Sequence, residues 1–124
     1  MLLDTSVFID HLRGHQPATA ALGALLSSDA RVLACVLTRV EVRRGLPARQ
    51  RERWADLAAL VEWLDVDTAV AEAAGDLAER YRRSHAVIDL VDHVIAATTS
   101  LRSAQLWTRN VRRFPSLVPL SAPY

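Results

Sequence analysis

Five short, largely apolar runs alternate along the chain with stretches of helical spacing, and this alternation constrains the fold more than any other feature. The strand-length runs are Leu2-Leu3, Arg31–Val36, Leu64-Asp65-Val66, Gln105–Thr108 and Leu117–Leu120, the last trimmed to an edge strand by Pro119. Val7–Arg13 reads as a short helix stopped by Gly14, and Pro17 opens a second, with Leu22, Leu25 and Leu26 at helical spacing. Thr38 is placed to cap a helix ending near Gly45. Residues 49–62 then carry Trp54, Leu57, Ala58 and Val61 on one stripe. Asp67 or Thr68 caps a helix reaching about Arg83, with Val70, Ala73, Ala74, Leu77 and Tyr81 on its inner face, and a last helix spans Asp89–Leu101. Strands that alternate with helices predict a parallel sheet of four to five strands with helices on both faces, a three-layer α/β/α fold. Ligands of such sheets collect at the carboxyl ends of strands, near the point where strand order reverses.

At 124 residues, 51% of them hydrophobic, the chain suits one compact domain with a sizeable core and is too apolar for disorder. No apolar run approaches the ~20 residues of a membrane-spanning helix. Met1-Leu2-Leu3 meets a charge at Asp4 with no basic region before it, unlike a secretory signal. The one cysteine, Cys35, lies in an apolar run and reads as a buried thiol, which points to the cytoplasm. A net charge of +1 conceals segregation, since all fifteen basic residues are arginine and fall in blocks. Arg39, Arg43, Arg44, Arg49, Arg51 and Arg53 are opposed locally only by Glu41 and Glu52, and beyond Asp92 the chain holds four arginines and no acid. Arginine donates paired hydrogen bonds to phosphate, so the blocks suit a nucleic-acid partner; a solvated arginine-rich surface would look the same.

Three acids occupy positions that solvation alone does not explain. Asp4 directly follows an apolar strand, Glu41 lies in the first turn of the helix after the second strand, and Asp92 lies in the first turn of a mostly apolar helix. All three would project toward one edge of the sheet. Clustered carboxylates raise one another's pKa unless a cation neutralises them, and hard oxygen donors suit Mg²⁺ or Mn²⁺. Each acid also has a local explanation. Asp4 could cap the helix after it. Thr38-Arg39-Val40-Glu41 matches the S/T-x-x-E capping box. Asp92 could complement a helix dipole.

Taken together, four segments resemble a known family. Met1-Leu2-Leu3-Asp4-Thr5-Ser6-Val7-Phe8-Ile9-Asp10 is similar to the opening of PIN-domain proteins, specifically the VapC-type toxins of bacterial toxin–antitoxin pairs. Thr38–Gly45 resembles the family's helix bearing a single glutamate. Asp92-His93-Val94-Ile95-Ala96-Ala97-Thr98 resembles its aspartate followed by Ile-Ala-Ala, and Thr108–Phe114 its strand-end Thr-Arg-Asn segment. The resemblance spans residues 1 to about 120 and implies a single PIN-like nuclease domain over residues 1–124. It implies a Mg²⁺- or Mn²⁺-dependent endoribonuclease with Asp4, Glu41 and Asp92 as metal ligands. It also implies a homodimer inhibited by a cognate antitoxin whose C-terminal segment blocks the site. The spacing to Ile-Ala-Ala selects Asp92 over Asp89, which sits one turn earlier and suits a cap. Many relatives carry a fourth acid at the position of Asn110 or just before the phenylalanine, where this chain has Asn110 and Arg113. One well-held ion is therefore expected, with a second recruited, if at all, by substrate phosphate.

Around this acidic core, Asn110 and Ser6 are candidates to position water or a carboxylate, and Ser6 is equally placed to cap a helix. Arg109, Arg112 and Arg113 are candidates to grip RNA phosphates, against solvated arginines. His93 reads as a surface or interface residue before a general base, and His11, His15 and His85 as surface residues. Trp54, Trp63 and Trp107 fall in apolar periodic segments and read as core or interface rather than base-stacking platforms. Two other functions fit the same residues: a DNA-directed nuclease on this scaffold, and a non-catalytic PIN-like binding subunit. An aspartyl phosphatase at Asp4 fits less well, because Ser6 stands where that chemistry commonly places a second acid.

Overall fold

The computed structural model describes residues 1–82, 89–114 and 120–124. Its centre is β1 (Leu2–Leu3), two residues with no exposed surface. On one side β1 pairs with β2 (Leu33–Cys35), which pairs with β3 (Glu62–Leu64); on the other it pairs with β4 (Leu106–Trp107), which pairs with β5 (Leu120–Ser121). Every pairing is parallel, so the five-stranded sheet runs β3-β2-β1-β4-β5. Leu2 sits opposite both Leu33 and Leu106, and Leu3 opposite Trp107.

Successive strand residues point to opposite faces, and this period of two divides the core. Leu2, Leu33, Cys35, Leu64 and Leu106 face one helical layer, formed by α5 (Thr68–Tyr81) and α6 (Leu90–Leu101). Leu3 and Ala34 face the other, formed by α1 (Thr5–Leu12), α2 (Gln16–Leu26), α3 (Val36–Arg44) and α4 (Arg51–Ala58). The α/β/α sandwich with a parallel sheet expected from the alternation is what the chain adopts. Helix α6 is buried along most of its length and carries two threonines inward. Thr98 and Thr99 donate to the carbonyls of Val94 and Ile95, both at 2.8 Å, so neither of these hydroxyl protons is stranded.

The boundaries differ from the sequence expectation in instructive ways. Helix α3 starts at Val36, with Cys35 at its N-cap, so Thr38 lies inside the helix and is fully buried rather than capping it. The helix expected over residues 49–62 is a 3-10 turn, Ala48–Gln50, followed by α4, which ends at Ala58. Its premature end frees Trp63 to donate from its indole N–H to the Ala58 carbonyl at 2.9 Å. The third strand accordingly lies at Glu62–Leu64 instead of Leu64–Val66, with Trp63 and Leu64 packed on opposite faces of the sheet. The last strand is Leu120–Ser121; Leu117–Pro119, His85 and Arg83 lie outside the described residues.

All three tryptophans pack against the second core cluster, as their apolar periodicity implied. Phe8 sits edge-on to Trp54 at 5.7 Å and stacks near Trp63 at 5.9 Å, and the two indoles meet edge-on at 5.9 Å. This aromatic cluster fastens α1, and hence the chain after Asp4, to the α4–β3 unit. Phe8→Ala is expected to lower the free energy of unfolding by about 3–5 kcal/mol in urea. A loss under about 1 kcal/mol would mean that the cluster does not anchor α1.

Candidate active site

Strand order decides where polar groups can converge. From β1 the chain winds outward through β2 to β3, then returns to lay β4 on the other side of β1. The reversal opens a crevice beyond the carboxyl ends of β1 and β4. Asp4 and Thr108 are the residues that follow these two strands, and both are buried. The Asp4 amide donates to the Trp107 carbonyl at 2.9 Å, extending the strand ladder by one residue and setting the two side by side.

Asp4 occupies the N-cap position of α1, yet its carboxylate makes no capping bond. Instead its Oδ2 accepts from the Ser6 hydroxyl and the Thr108 hydroxyl, each at 2.8 Å. Both bonds fall on one oxygen, so neither consumes Oδ1. The donors are themselves oriented, because Ser6 Oγ accepts from the Arg109 amide at 3.2 Å and Thr108 Oγ1 from the Asn110 amide at 3.0 Å. Two backbone N–H groups of the turn after β4 thus hold two hydroxyls, which hold one carboxylate.

Glu41 projects from α3 toward the same crevice. The capping box is not formed; Glu41 Oε1 accepts from the Thr5 hydroxyl at 2.6 Å. Thr5 has one hydroxyl proton, so its 3.1 Å contact with Thr38 Oγ1 is completed by the Thr38 proton. The buried threonine that looked like a cap in the sequence therefore supports the hydroxyl that holds Glu41.

Asp92 arrives from the first turn of α6, whose N-cap is Asp89: the Asp89 side chain accepts from the Asp92 amide at 2.9 Å. The Asp92 side chain is buried, and its Oδ2 has no hydrogen-bond partner among the described residues. Arg113 approaches it, with Nη1 4.0 Å from Oδ2. Burial, reinforced by the charges of Asp89 and Asp4 and opposed by Arg113, pushes the Asp92 pKa up to about 7.

Asp4, Glu41 and Asp92 line one cleft of about 400 Å³, together with Thr5, Ser6, Asp10, Arg109, Asn110 and Arg113. Arg13 and Arg44 also line it; Arg44 belongs to the basic block noted in the sequence, whereas nothing in the sequence marks Arg13. Arg112 is exposed and does not line the cleft. His93 is buried rather than superficial, with Nδ1 3.0 Å from the Asp89 carbonyl, and it lies outside the cleft. His11 is half-buried against Thr19 and His15 is exposed. Among the described residues, no three acidic, histidine or cysteine side chains stand close enough to enclose a metal ion by themselves.

The PIN domain family model matches residues 1–117. The chain is 40% identical to Ribonuclease VapC19 of Mycobacterium tuberculosis, over 99% of this chain and 98% of that protein. It is 38% identical to Ribonuclease VapC10 of the same organism, over 100% of this chain and 92% of that protein. Among solved structures, a chain of a toxin–antitoxin complex from Klebsiella pneumoniae superposes with a TM-score of 0.80 at 27% identity, covering 99% of this chain and 97% of that one.

A carboxyl whose pKa is higher in the fold than in the unfolded chain keeps its proton longer when folded. Its ionisation therefore costs stability as pH rises from the ordinary carboxylate range toward 7. In urea titrations without divalent cations, Asp92 is expected to lower stability across that window by at most about 1.4 kcal/mol per pH unit. Asp92→Asn is expected to flatten the slope; an unchanged slope would assign the pH dependence to other groups.

Proposed function

The chain belongs to the PIN-domain family, and from that premise we propose that it is a divalent-metal-dependent endoribonuclease, the toxin of a toxin–antitoxin pair. The observation that carries this reading is the convergence of Asp4, Glu41 and Asp92, from three separate elements, on one cleft at the reversal of strand order. Two relatives named as ribonucleases favour RNA over DNA as the substrate, and the toxin–antitoxin neighbour supports a small inhibitory protein as the partner. The same family reading makes the protein a cytoplasmic homodimer. No helix among the described residues is long and apolar enough to cross a membrane.

The donors in the cleft fit Mg²⁺ or Mn²⁺. The metal-ligating side chains there offer oxygen only, and one of these atoms, Asp92 Oδ2, is a buried carboxylate oxygen without a hydrogen-bond partner among the described residues. Mg²⁺ keeps several waters and takes only one or two carboxylates directly, so it does not require all three acids in contact with it. Asp4, Glu41 and Asp92 would hold the ion, which when bound supplies an activated water and offsets charge on the leaving oxygen.

The protein groups divide the remaining work. Ser6 and Thr108 fix the rotamer of Asp4, and Thr5 that of Glu41, so that both carboxylates are held before substrate arrives. Asn110 offers a neutral side chain to orient water, and Arg109 and Arg113 offer donors to phosphates on either side of the scissile bond. Arg112 is exposed outside the cleft and is not placed to share this role. Arg113 occupies a position where many relatives carry a fourth acid, and its guanidinium leans toward Asp92. A cation there disfavours a second tightly held ion.

RNA cleavage assays test this reading. Cleavage is expected only with Mg²⁺ or Mn²⁺, with matched DNA left intact. Asp4→Asn, Glu41→Gln and Asp92→Asn are each expected to lower the rate by roughly a hundredfold or more, and Ser6→Ala by about tenfold. Cleavage that persists in EDTA, or at the wild-type rate in Asp4→Asn, would remove the metal-centred assignment.

A further inference from the structure

One group in the cleft is held more elaborately than a solvated phosphate-binding arginine requires. Arg109 is attached to α1 at two points one helical turn apart. Its backbone N–H donates to Ser6 Oγ at 3.2 Å, and its guanidinium Nη1 donates to Asp10 Oδ2 at 2.7 Å. Ser6 and Asp10 are at i and i+4 and so share one face of the helix. Asp10 Oδ2 also accepts from the Tyr124 hydroxyl at 2.7 Å, while the Tyr124 ring lies beneath the guanidinium, 5.6 Å from its carbon. His15 packs against the same ring at a tilt, with centroids 5.4 Å apart.

We propose that Asp10 and Tyr124 are positioning residues that preset Arg109 to receive an RNA phosphate. This inference rests on the reading of the cleft as an RNA-cleaving site. Asp10 engages a single nitrogen of the guanidinium, so most of its five N–H donors stay available. Asp10 and Arg109 both line the cleft that contains Asp4, and the Arg109 side chain is 46% exposed, open to an incoming phosphate. An arginine free in solvent would lose several rotamers on gripping phosphate. One already clasped between a carboxylate and a ring face has lost most of them. The clasp also reaches the acidic core: by fixing Arg109 it steadies the amide that orients Ser6, whose hydroxyl holds Asp4.

The test measures equilibrium binding of a fluorescein-labelled, mixed-sequence single-stranded RNA by the full chain in EDTA, where no cleavage interferes. Arg109→Ala is expected to weaken binding roughly tenfold, the worth of one charge-assisted contact. Asp10→Asn and Tyr124→Phe are each expected to weaken it by about two- to tenfold, the factor for ordering one rotamer-rich side chain. In the Arg109→Ala background the same two substitutions are expected to have almost no effect, since they act through the missing side chain. Thermal melts of the same variants establish that each is folded. Unchanged or tighter binding in Asp10→Asn, or full additivity with Arg109→Ala, would overturn the proposal. Wild type that binds no RNA and cleaves none would instead overturn the reading of the cleft itself.

Discussion

The cleft depends on one parallel strand pair, β1 against β4. Because the ladder continues by the bond from the Asp4 amide to the Trp107 carbonyl, Asp4 and Thr108 emerge side by side from strands 104 residues apart in sequence. The Thr108 hydroxyl then reaches the Asp4 carboxylate directly, and the turn beyond it delivers Arg109 and Asn110 to the same opening. A one-residue slip in this register would exchange the helical layers that Leu2 and Leu3 face and carry Asp4 away from the Trp107 carbonyl and the Thr108 hydroxyl. Leu2 and Leu3 are fully buried against different helical layers, so the strand end that carries Asp4 is packed on both faces.

Against that rigid frame, Asp92 is the strained member of the site. The fold spends stability to bury its carboxyl near two like charges, with one arginine too distant for a close hydrogen bond. Asp89 contributes in two opposing ways: its side chain caps α6 and so fixes Asp92 at the rim, while its charge makes Asp92 harder to ionise. A divalent cation would relieve both the desolvation and the repulsion, which gives a physical reason for acids to be kept in this arrangement.

The sequence revealed the architecture through its periodicities, because alternating strands and helices leave few topologies other than a parallel sheet covered on both faces. The three acids were visible as acids at the ends of elements, although each also had a local explanation. Two of those explanations fail for a non-local reason. The capping box at Thr38 requires a helix that starts at Thr38, but α3 begins at Val36 and Thr38 turns inward beneath Thr5. Asp4 stands at a cap position, but Ser6 and Thr108 claim its carboxylate. The placement of Arg13 and Arg44 at the cleft and the clasping of Arg109 by Asp10 and Tyr124 are not legible in the sequence, because they arise only when α1, α3 and the segments around β4 and β5 assemble. The end of α4 is not legible in the sequence, because the apolar stripe runs on through Val61, whereas the chain turns to bring Trp63 onto Phe8.

The most direct measurement is an anomalous difference map from crystals of the protein grown with Mn²⁺. One strong peak is expected in the cleft, among the carboxylates of Asp4, Glu41 and Asp92. A peak held by other residues, or none at saturating Mn²⁺, would contradict the claim that these acids form a metal centre.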